Sequence, residues 1–362
     1  MKILILANNS VGLCLFRKEL LEELVRKGNK VFMSLPDGPL INNLTDIGCE
    51  YIETPLDRRG INPLKDFKLI NKYRKIVKDI NPDLVITYTI KPNIYGGLVC
   101  RMKKIPYAVN ITGLGTAFQN KGILKTLVTF LYKIGLKKAK VVFFENEENR
   151  QILISEKIVK EEQTCRLDGA GVNTKRYALA EYPIDCSKTR FLFIGRVMKE
   201  KGVDELFSAM HRLWTEKVPC ELVMLGVYEE NYESVIEKYS QEGWLKYYGF
   251  QEDVKPFIVD SHCFVLPSWH EGMANTNLEC ASMGRPVITS NIHGCLEAIE
   301  DGVSGYLSEK QNADDLYRVM KKFAELSYEE RKAMGLAGRK RMEDIFDKKK
   351  VVSKTLSRLF ND

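Results

Sequence analysis

Strand-like and helix-like stretches alternate along nearly the whole chain, and the alternation starts again after its midpoint. Apolar, β-branched segments run Lys2 to Ala7, Val31 to Leu35, Glu50 to Thr54, Leu84 to Tyr88, Tyr107 to Ile111 and Val141 to Phe144. Helical patterns separate them: one up to Lys27 before Gly28, one over Pro39 to Ile47 and a long one over Pro63 to Ile80, with a turn expected at Asn8 to Gly12. Residues near Pro183 to Lys188 read as a linker. A second series follows, with strands at Arg190 to Ile194, Leu222 to Gly226 and Cys263 to Leu266, and helices over Ala313 to Leu326, Tyr328 to Ile345 and Lys348 to Phe360. Strands alternating with helices make βαβ units and a parallel sheet. A chain of 362 residues exceeds one ordinary core, so the pattern predicts two such α/β domains.

Composition narrows the class. A hydrophobic content of 44% is that of a soluble globular protein, and no apolar run approaches the length of a membrane span. The opening MKILILANN is too short, and too polar afterwards, for a signal peptide and reads as a first strand. Nine scattered cysteines with no C-x-x-C pair argue for reduced thiols in the cytosol rather than a disulfide framework or zinc site. The four histidines form no closely spaced pair and there is no D-x-D motif, so no metal is expected. The net charge of +7 is uneven: residues 1–180 hold 30 Lys and Arg against 18 Asp and Glu. Between Asp83 and Glu145 there is no acid at all, only ten basic residues, which suggests an anionic partner: a membrane, nucleic acid or a phosphorylated substrate.

The chemistry concentrates in Val265 to Arg285. The strand ending at Leu266 enters a Pro267-Ser268 turn, then a loop with Glu271 and Gly272, then a helix from about Asn275 that carries Glu279 before Gly284. The unbonded N–H groups of a first helical turn, with the helix dipole, favour an anion there. Two carboxylates on loop and helix can accept hydrogen bonds from hydroxyls. A lone pair of such glutamates is ordinarily solvated, but here a buried-type strand precedes them and an apolar run follows at Pro286 to Ile288. Phosphate held by N–H groups and hydroxyls held by carboxylates describe a nucleotide sugar. A second group, Arg196 and Lys201, follows the strand ending at Ile194; a guanidinium and an ammonium on such a loop can clamp a diphosphate. In the first βα turn, Gly12 would let the backbone approach a diphosphate closely.

These residues resemble the retaining glycosyltransferases of family 4. Their hallmark is matched by Pro267-Ser268, Glu271-Gly272, Glu279, Gly284 and Pro286-Val287, with Cys280 as a departure, and their G-R-x-x-x-x-K-G signature by Gly195-Arg196 to Lys201-Gly202. The resemblance implies a GT-B fold of two Rossmann-like domains facing across a cleft. Residues 1–182 would form the acceptor and membrane domain, 183–345 the nucleotide-sugar domain, and 346–362 a helix crossing back to the first domain. It assigns catalysis to Glu271, Arg196 and Lys201. Donor contacts would come from Gly12, Arg196, Lys201, Glu271, Gly272, Met273, Ala274, Asn275, Thr276 and Glu279, with Phe250 and Gln251 capping the base and Glu279 holding the ribose hydroxyls. The donor would be a UDP-sugar and no cofactor or metal would be needed. The family's histidine at the end of the strand Ala108 to Ile111 is missing, and Thr112 or backbone carbonyls take its place.

The acceptor side rests on the first domain. Loops with Arg58 and Arg59, and with Lys91 and Asn93, resemble stretches of members that extend polyprenyl-diphosphate-linked sugars. Over 121–140 a helical wheel separates Lys121, Lys125, Lys133, Lys137 and Lys140 from Ile123, Leu127, Phe130, Leu131 and Ile134. The apolar set is expected to face the core and the lysines an anionic membrane. The expected protein is therefore a peripheral enzyme on the inner face of the cell membrane. It would move a hexose or N-acetylhexosamine from a nucleotide sugar to a lipid-linked acceptor. The alternatives are a soluble acceptor, a sugar-nucleotide epimerase, which would need acid/base groups in the cleft, and a nucleic-acid binder. The last would interleave aromatics with its basic residues; the aromatics of this span instead fall mainly within apolar strands and the helix, so no nucleic-acid partner is expected.

Overall fold

The computed structural model describes residues 1–57, 62–115, 118, 122–185 and 187–360. It divides into two compact units, Met1–Ala170 together with Lys349–Asp362, and Gly171–Lys348. The first holds a seven-stranded parallel sheet of β1 (Lys2–Leu6), β2 (Lys30–Leu35), β3 (Glu50–Glu53), β4 (Leu84–Tyr88), β5 (Tyr107–Ile111), β6 (Val141–Phe144) and β7 (Thr164–Arg166), in the order β3-β2-β1-β4-β5-β6-β7. Both faces are covered: alternate residues of β1 serve the two cores, Leu4 and Leu6 on one side, Ile3 and Ile5 on the other. The final helix, Lys348–Phe360, belongs to this unit, with Val351, Leu356 and Leu359 in the same core as Ile3 and Ile5.

The second unit holds β8 (Thr189–Ile194), β9 (Cys220–Leu225), β10 (Leu245–Tyr247), β11 (Cys263–Leu266), β12 (Val287–Ser290) and β13 (Gly305–Ser308), in the order β10-β9-β8-β11-β12-β13. In each sheet the strand order reverses once, between β1 and β4 and between β8 and β11. Such switch points open a crevice at the carboxyl ends of the strands, where ligands of open parallel sheets bind.

Two expectations about the fold change. The boundary expected at residue 182 falls between Ala170 and Gly171. The segment beyond is tied into the second unit, since Ser282 Oγ donates to the Tyr177 carbonyl at 2.7 Å and Tyr182 donates to the His262 carbonyl at 2.8 Å. The turn expected at Asn8 to Gly12 is already helix: Ser10–Arg26 begins there, because the Asn9 side chain caps it by accepting from the Gly12 N–H at 2.6 Å.

Candidate functional site

At the β8/β11 switch the two sequence motifs come together. β8 delivers Gly195 and Arg196, and β11 delivers Pro267, Ser268 and Glu271. Gly202 makes the junction possible. Its φ is +72°, and a Cβ there would lie 2.0 Å from the Pro267 carbonyl oxygen. That approach brings Lys201 against the loop after β11, where its ammonium pairs with the Glu271 carboxylate and both side chains are largely buried. Ser268 Oγ donates to the same carboxylate oxygen at 2.8 Å. From the far side Gly294 packs on the Glu271 backbone, where its Cβ would come within 2.6 Å of the carbonyl oxygen. Its N–H is held by Glu297 Oε2 at 2.7 Å, so Glu297 shapes this loop.

Arg196 is half-exposed and meets Glu229 at 3.5 Å. The loop after β9 docks on the loop after β8 through Val197 N–H to the Val227 carbonyl, at 2.8 Å, and Glu229 N–H to the Val197 carbonyl, at 3.0 Å. Glu230 accepts from the Lys199 N–H at 2.8 Å. Neither glutamate was singled out by the motifs, which run along one strand end and do not see its neighbour.

The helix Asn275–Ser282 starts at this switch, and its cap residue Ala274 has no side-chain acceptor to offer. The N–H groups of Asn275 and Thr276 precede the first intrahelical bond and point toward the loop end, as an anion requires. Met273 and Ala274, expected among the donor contacts, have both side chains buried in the core, and the Ala274 N–H bonds to the Gly294 carbonyl at 2.7 Å. Gly272 stands between Glu271 and that buried pair, half-buried. Glu279 lies one turn into the helix, half-buried. Removal from water pushes its pKa up to about 7, opposed by the Tyr177 hydroxyl, Arg176 and Lys348. Phe250 and Gln251 follow β10; Phe250 is 67% exposed, and the Gln251 amide donates to the Tyr248 carbonyl at 2.8 Å.

The first unit brings fewer of its expected residues into play. Gly12 stands in the first turn of the helix Ser10–Arg26, and its N–H is taken by the Asn9 cap. Asn93 is corrected: it is 1% exposed, accepts from Thr87 Oγ1 at 2.7 Å and donates to the Asn110 carbonyl at 2.8 Å, which locks β4 to β5. Lys91 is paired with buried Asp66 at 2.8 Å. Thr112 directly follows β5, half-buried. Arg58, Arg59 and Lys121 lie outside the described residues. Sequence reasoning missed a buried pair, Arg17 with Glu145, whose guanidinium sits 5.2 Å over the Tyr88 ring at the carboxyl ends of β4 and β6.

The helix Ile123–Leu136 also departs from its wheel. Val128, Tyr132 and Leu136 form the buried seam, while Leu127 and Phe130, expected inside, are exposed beside Leu124. Residues four apart share a face, and here the helix packs on the segments Pro92–Gly96 and Gly97–Lys103. Lys125 pairs with Glu156 at 3.1 Å, and Lys133 and Lys137 are exposed. Among the described residues no helix is long and apolar enough to cross a membrane.

Comparison with known proteins adds to this geometry. Residues 178–341 match the family model of the group 1 glycosyl transferases, and residues 2–146 that of the glycosyl transferase 4-like domain. A Campylobacter jejuni N,N'-diacetylbacillosaminyl-diphospho-undecaprenol alpha-1,3-N-acetylgalactosaminyltransferase is 27% identical over 336 residues, 87% of either chain. An Escherichia coli UDP-Gal:alpha-D-GlcNAc-diphosphoundecaprenol alpha-1,3-galactosyltransferase is 25% identical over 301 residues, covering 78% of this chain and 76% of its own. Anabaena HepE, solved with UDP and glucose, superposes over 100% of both chains with a TM-score of 0.82 at 16% identity. The two sheets are thus those of a GT-B fold.

Proposed function

Because the chain belongs to the group 1 glycosyltransferases, we propose that it is a retaining, metal-independent enzyme moving a hexose or N-acetylhexosamine from a UDP-sugar to a polyprenyl-diphosphate-linked sugar. One observation carries the reading: a lysine–glutamate pair, an arginine and an uncapped helix N-terminus converge on the β8/β11 switch. The diphosphate lies against Arg196, Lys201 and the N–H groups of Asn275 and Thr276. Glu271 faces the sugar, and Glu279 accepts from the ribose hydroxyls. In the reaction the bond from the anomeric carbon to the phosphate oxygen breaks and a bond from that carbon to the acceptor oxygen forms. The acceptor proton passes to the departing phosphate, on the same face of the sugar. The cations stabilise the charge that develops on the leaving group, ordinarily the largest single term in such chemistry. The names of the Campylobacter and Escherichia relatives, both acting on diphospho-undecaprenol sugars, support the acceptor class.

The test is release of UDP from a panel of UDP-sugars in EDTA, with and without a polyprenyl-diphosphate sugar, for wild type and Glu279→Ala. Release that needs the acceptor, survives EDTA and is lost in the variant is expected. Release without acceptor would point to hydrolysis or an epimerase, and none with any UDP-sugar would remove the UDP donor.

A membrane surface is proposed alongside, for an anionic bilayer. Its support is the exposed row Leu124, Leu127 and Phe130 beside Lys133 on the same helix and Lys137 just after it. Apolar side chains enter the headgroup boundary while lysines hold anionic lipid. Leu127→Glu with Phe130→Glu should lower partition onto vesicles containing phosphatidylglycerol by about tenfold or more, from the apolar burial lost. Equal partition of variant and wild type in a sedimentation assay would remove this surface.

A further inference from the structure

The hallmark of the second motif leaves two positions open between Ser268 and Glu271, and in this chain Trp269 and His270 fill them. Both meet the segment that carries Lys201. The Trp269 N–H donates to the Glu200 carbonyl at 2.9 Å, a main-chain bond one residue before Lys201. The indole N–H donates to Glu205 Oε1 at 3.1 Å, in the first turn of the helix Val203–Thr215. The Lys199 ammonium lies 5.7 Å over the Trp269 ring, and His270 Nε2 stands 3.5 Å from Glu200 Oε2. Beside these contacts runs the Lys201–Glu271 pair. The loop after β11 is thus stitched along its length to residues 199–205, and Trp269, half-buried, makes three of the stitches.

We propose that Trp269 is a positioning residue for the transfer: its indole and main-chain N–H groups, held by Glu205 and Glu200, fix the register at which Glu271 meets Lys201. The inference rests on the reading that this pair serves the reaction. Ser268 and Lys201 both reach the same Glu271 oxygen, so the aim of the carboxylate depends on where the loop lies along residues 199–205. The pair does not set that register itself, because a lysine stem is flexible and follows its partner. Gly202 sets how closely the two segments approach at Pro267; the bonds of Trp269 set where one stops along the other. The Glu205 bond is also a poor way to add stability. Glu205 Oε2 is buried with no hydrogen-bond partner among the described residues, and an unmet buried carboxylate oxygen is unfavourable. An apolar pair in place of both partners would serve the fold as well. What the bond contributes is direction.

The experiment is steady-state UDP release from a UDP-sugar with a polyprenyl-diphosphate sugar as acceptor. Trp269→Phe keeps an aromatic ring under Lys199 and strips the indole N–H. It should lower kcat about tenfold and leave the KM for the UDP-sugar within about twofold, since a small displacement of a reacting group costs orientation more than binding. Glu205→Leu removes the same bond from its other end and should match that loss, whereas Glu205→Gln keeps an acceptor oxygen and should keep most of the turnover. In a Glu271→Gln protein, adding Trp269→Phe should cost less than about twofold, because the group it positions has already been changed. A tryptophan that only supports the fold would lower kcat by the same factor in both backgrounds. That result, or a Trp269→Phe enzyme with the kcat of wild type, would overturn the inference. If Trp269→Phe does not fold, the Glu205 variants decide: equal turnover of Glu205→Leu and Glu205→Gln overturns it, and impairment of Glu205→Leu alone supports it. Wild-type turnover in both Glu271→Gln and Lys201→Ala would instead remove the reading beneath it, leaving Trp269 with nothing to position.

Discussion

Lys201→Ala is expected to lower kcat/KM by about a hundred- to a thousandfold, the usual cost of removing a fixed electrostatic contact to developing charge. Its ammonium is largely buried and held by Glu271, which Ser268 holds in turn. A cation fixed this way needs no reorganisation when phosphate charge grows beside it. Deleting it also removes one of the groups that hold Glu271, so the carboxylate proposed to face the sugar is less firmly oriented. Two damages to one unit are not independent. Lys201→Ala combined with Glu271→Gln should therefore be hardly worse than Lys201→Ala alone. Lys201→Arg should restore little, because a planar fork does not replace a point charge in a largely buried pair with Glu271. Arg196 sits differently, half-exposed and 3.5 Å from Glu229, so Arg196→Ala should cost less, about tenfold. Steady-state UDP release for wild type, these four variants and Glu271→Gln alone decides the matter. Multiplicative losses in the double variant, or an arginine that restores full turnover, would show that the pair does not act as one unit.

The parts of this molecule that were legible in the sequence are those written in short range. Each strand read as an apolar, β-branched run lies in one of the two sheets, and the chain order of those runs already implied parallel pairing. That Arg196, Lys201 and Glu271 would fall at strand ends was legible because motif spacing reflects strand, loop and helix lengths, which are local. Errors arose where a side chain's fate depends on what lies opposite. The turn expected at Asn8 to Gly12 is helix from Ser10, because the Asn9 side chain caps it. The wheel of Ile123–Leu136 identified an amphipathic helix but not its seam, since Leu127 and Phe130 are as apolar as Val128 and Tyr132 and only the segments packed against it, Pro92–Gly96 and Gly97–Lys103, select among them. Asn93 and Lys91 read as loop residues near a ligand, yet their partners, Thr87, Asn110 and Asp66, lie on neighbouring elements. The contacts of Tyr177 with Ser282 and of Arg285 with Glu181 carried no signal, because their partners are about a hundred residues away in the chain.

Arg285 shows how much such a residue can carry. In the sequence it is the middle of a Gly-Arg-Pro turn, where an arginine is ordinarily solvated. In the structure it is 0% exposed. Nε donates to the Ile258 carbonyl at 2.9 Å, Nη2 to those of Glu181 and Val259 at 2.7 and 2.8 Å, and Nη1 to that of Met283 at 3.0 Å. One guanidinium thus ties together the chain entering β8, the end of the helix Lys255–Val259 and the end of Asn275–Ser282, the helix that presents Glu279. Burial lowers its pKa, and the Tyr182 ring lies 5.6 Å beneath its plane. Arg285→Met keeps the stem and strips the donors, leaving several buried carbonyls unmet at about 1–3 kcal/mol each. A loss of at least about 4 kcal/mol is expected, which for a unit of this size lowers Tm by roughly 8–16 °C. Arg285→Lys should recover only part of this, since an ammonium has three donors and no plane. Differential scanning calorimetry can assign the loss, because the affected transition is the one that bound UDP would shift upward. A Tm of Arg285→Met close to wild type would mean that the carbonyls find water or one another, and that the crossing of these three segments holds without its arginine.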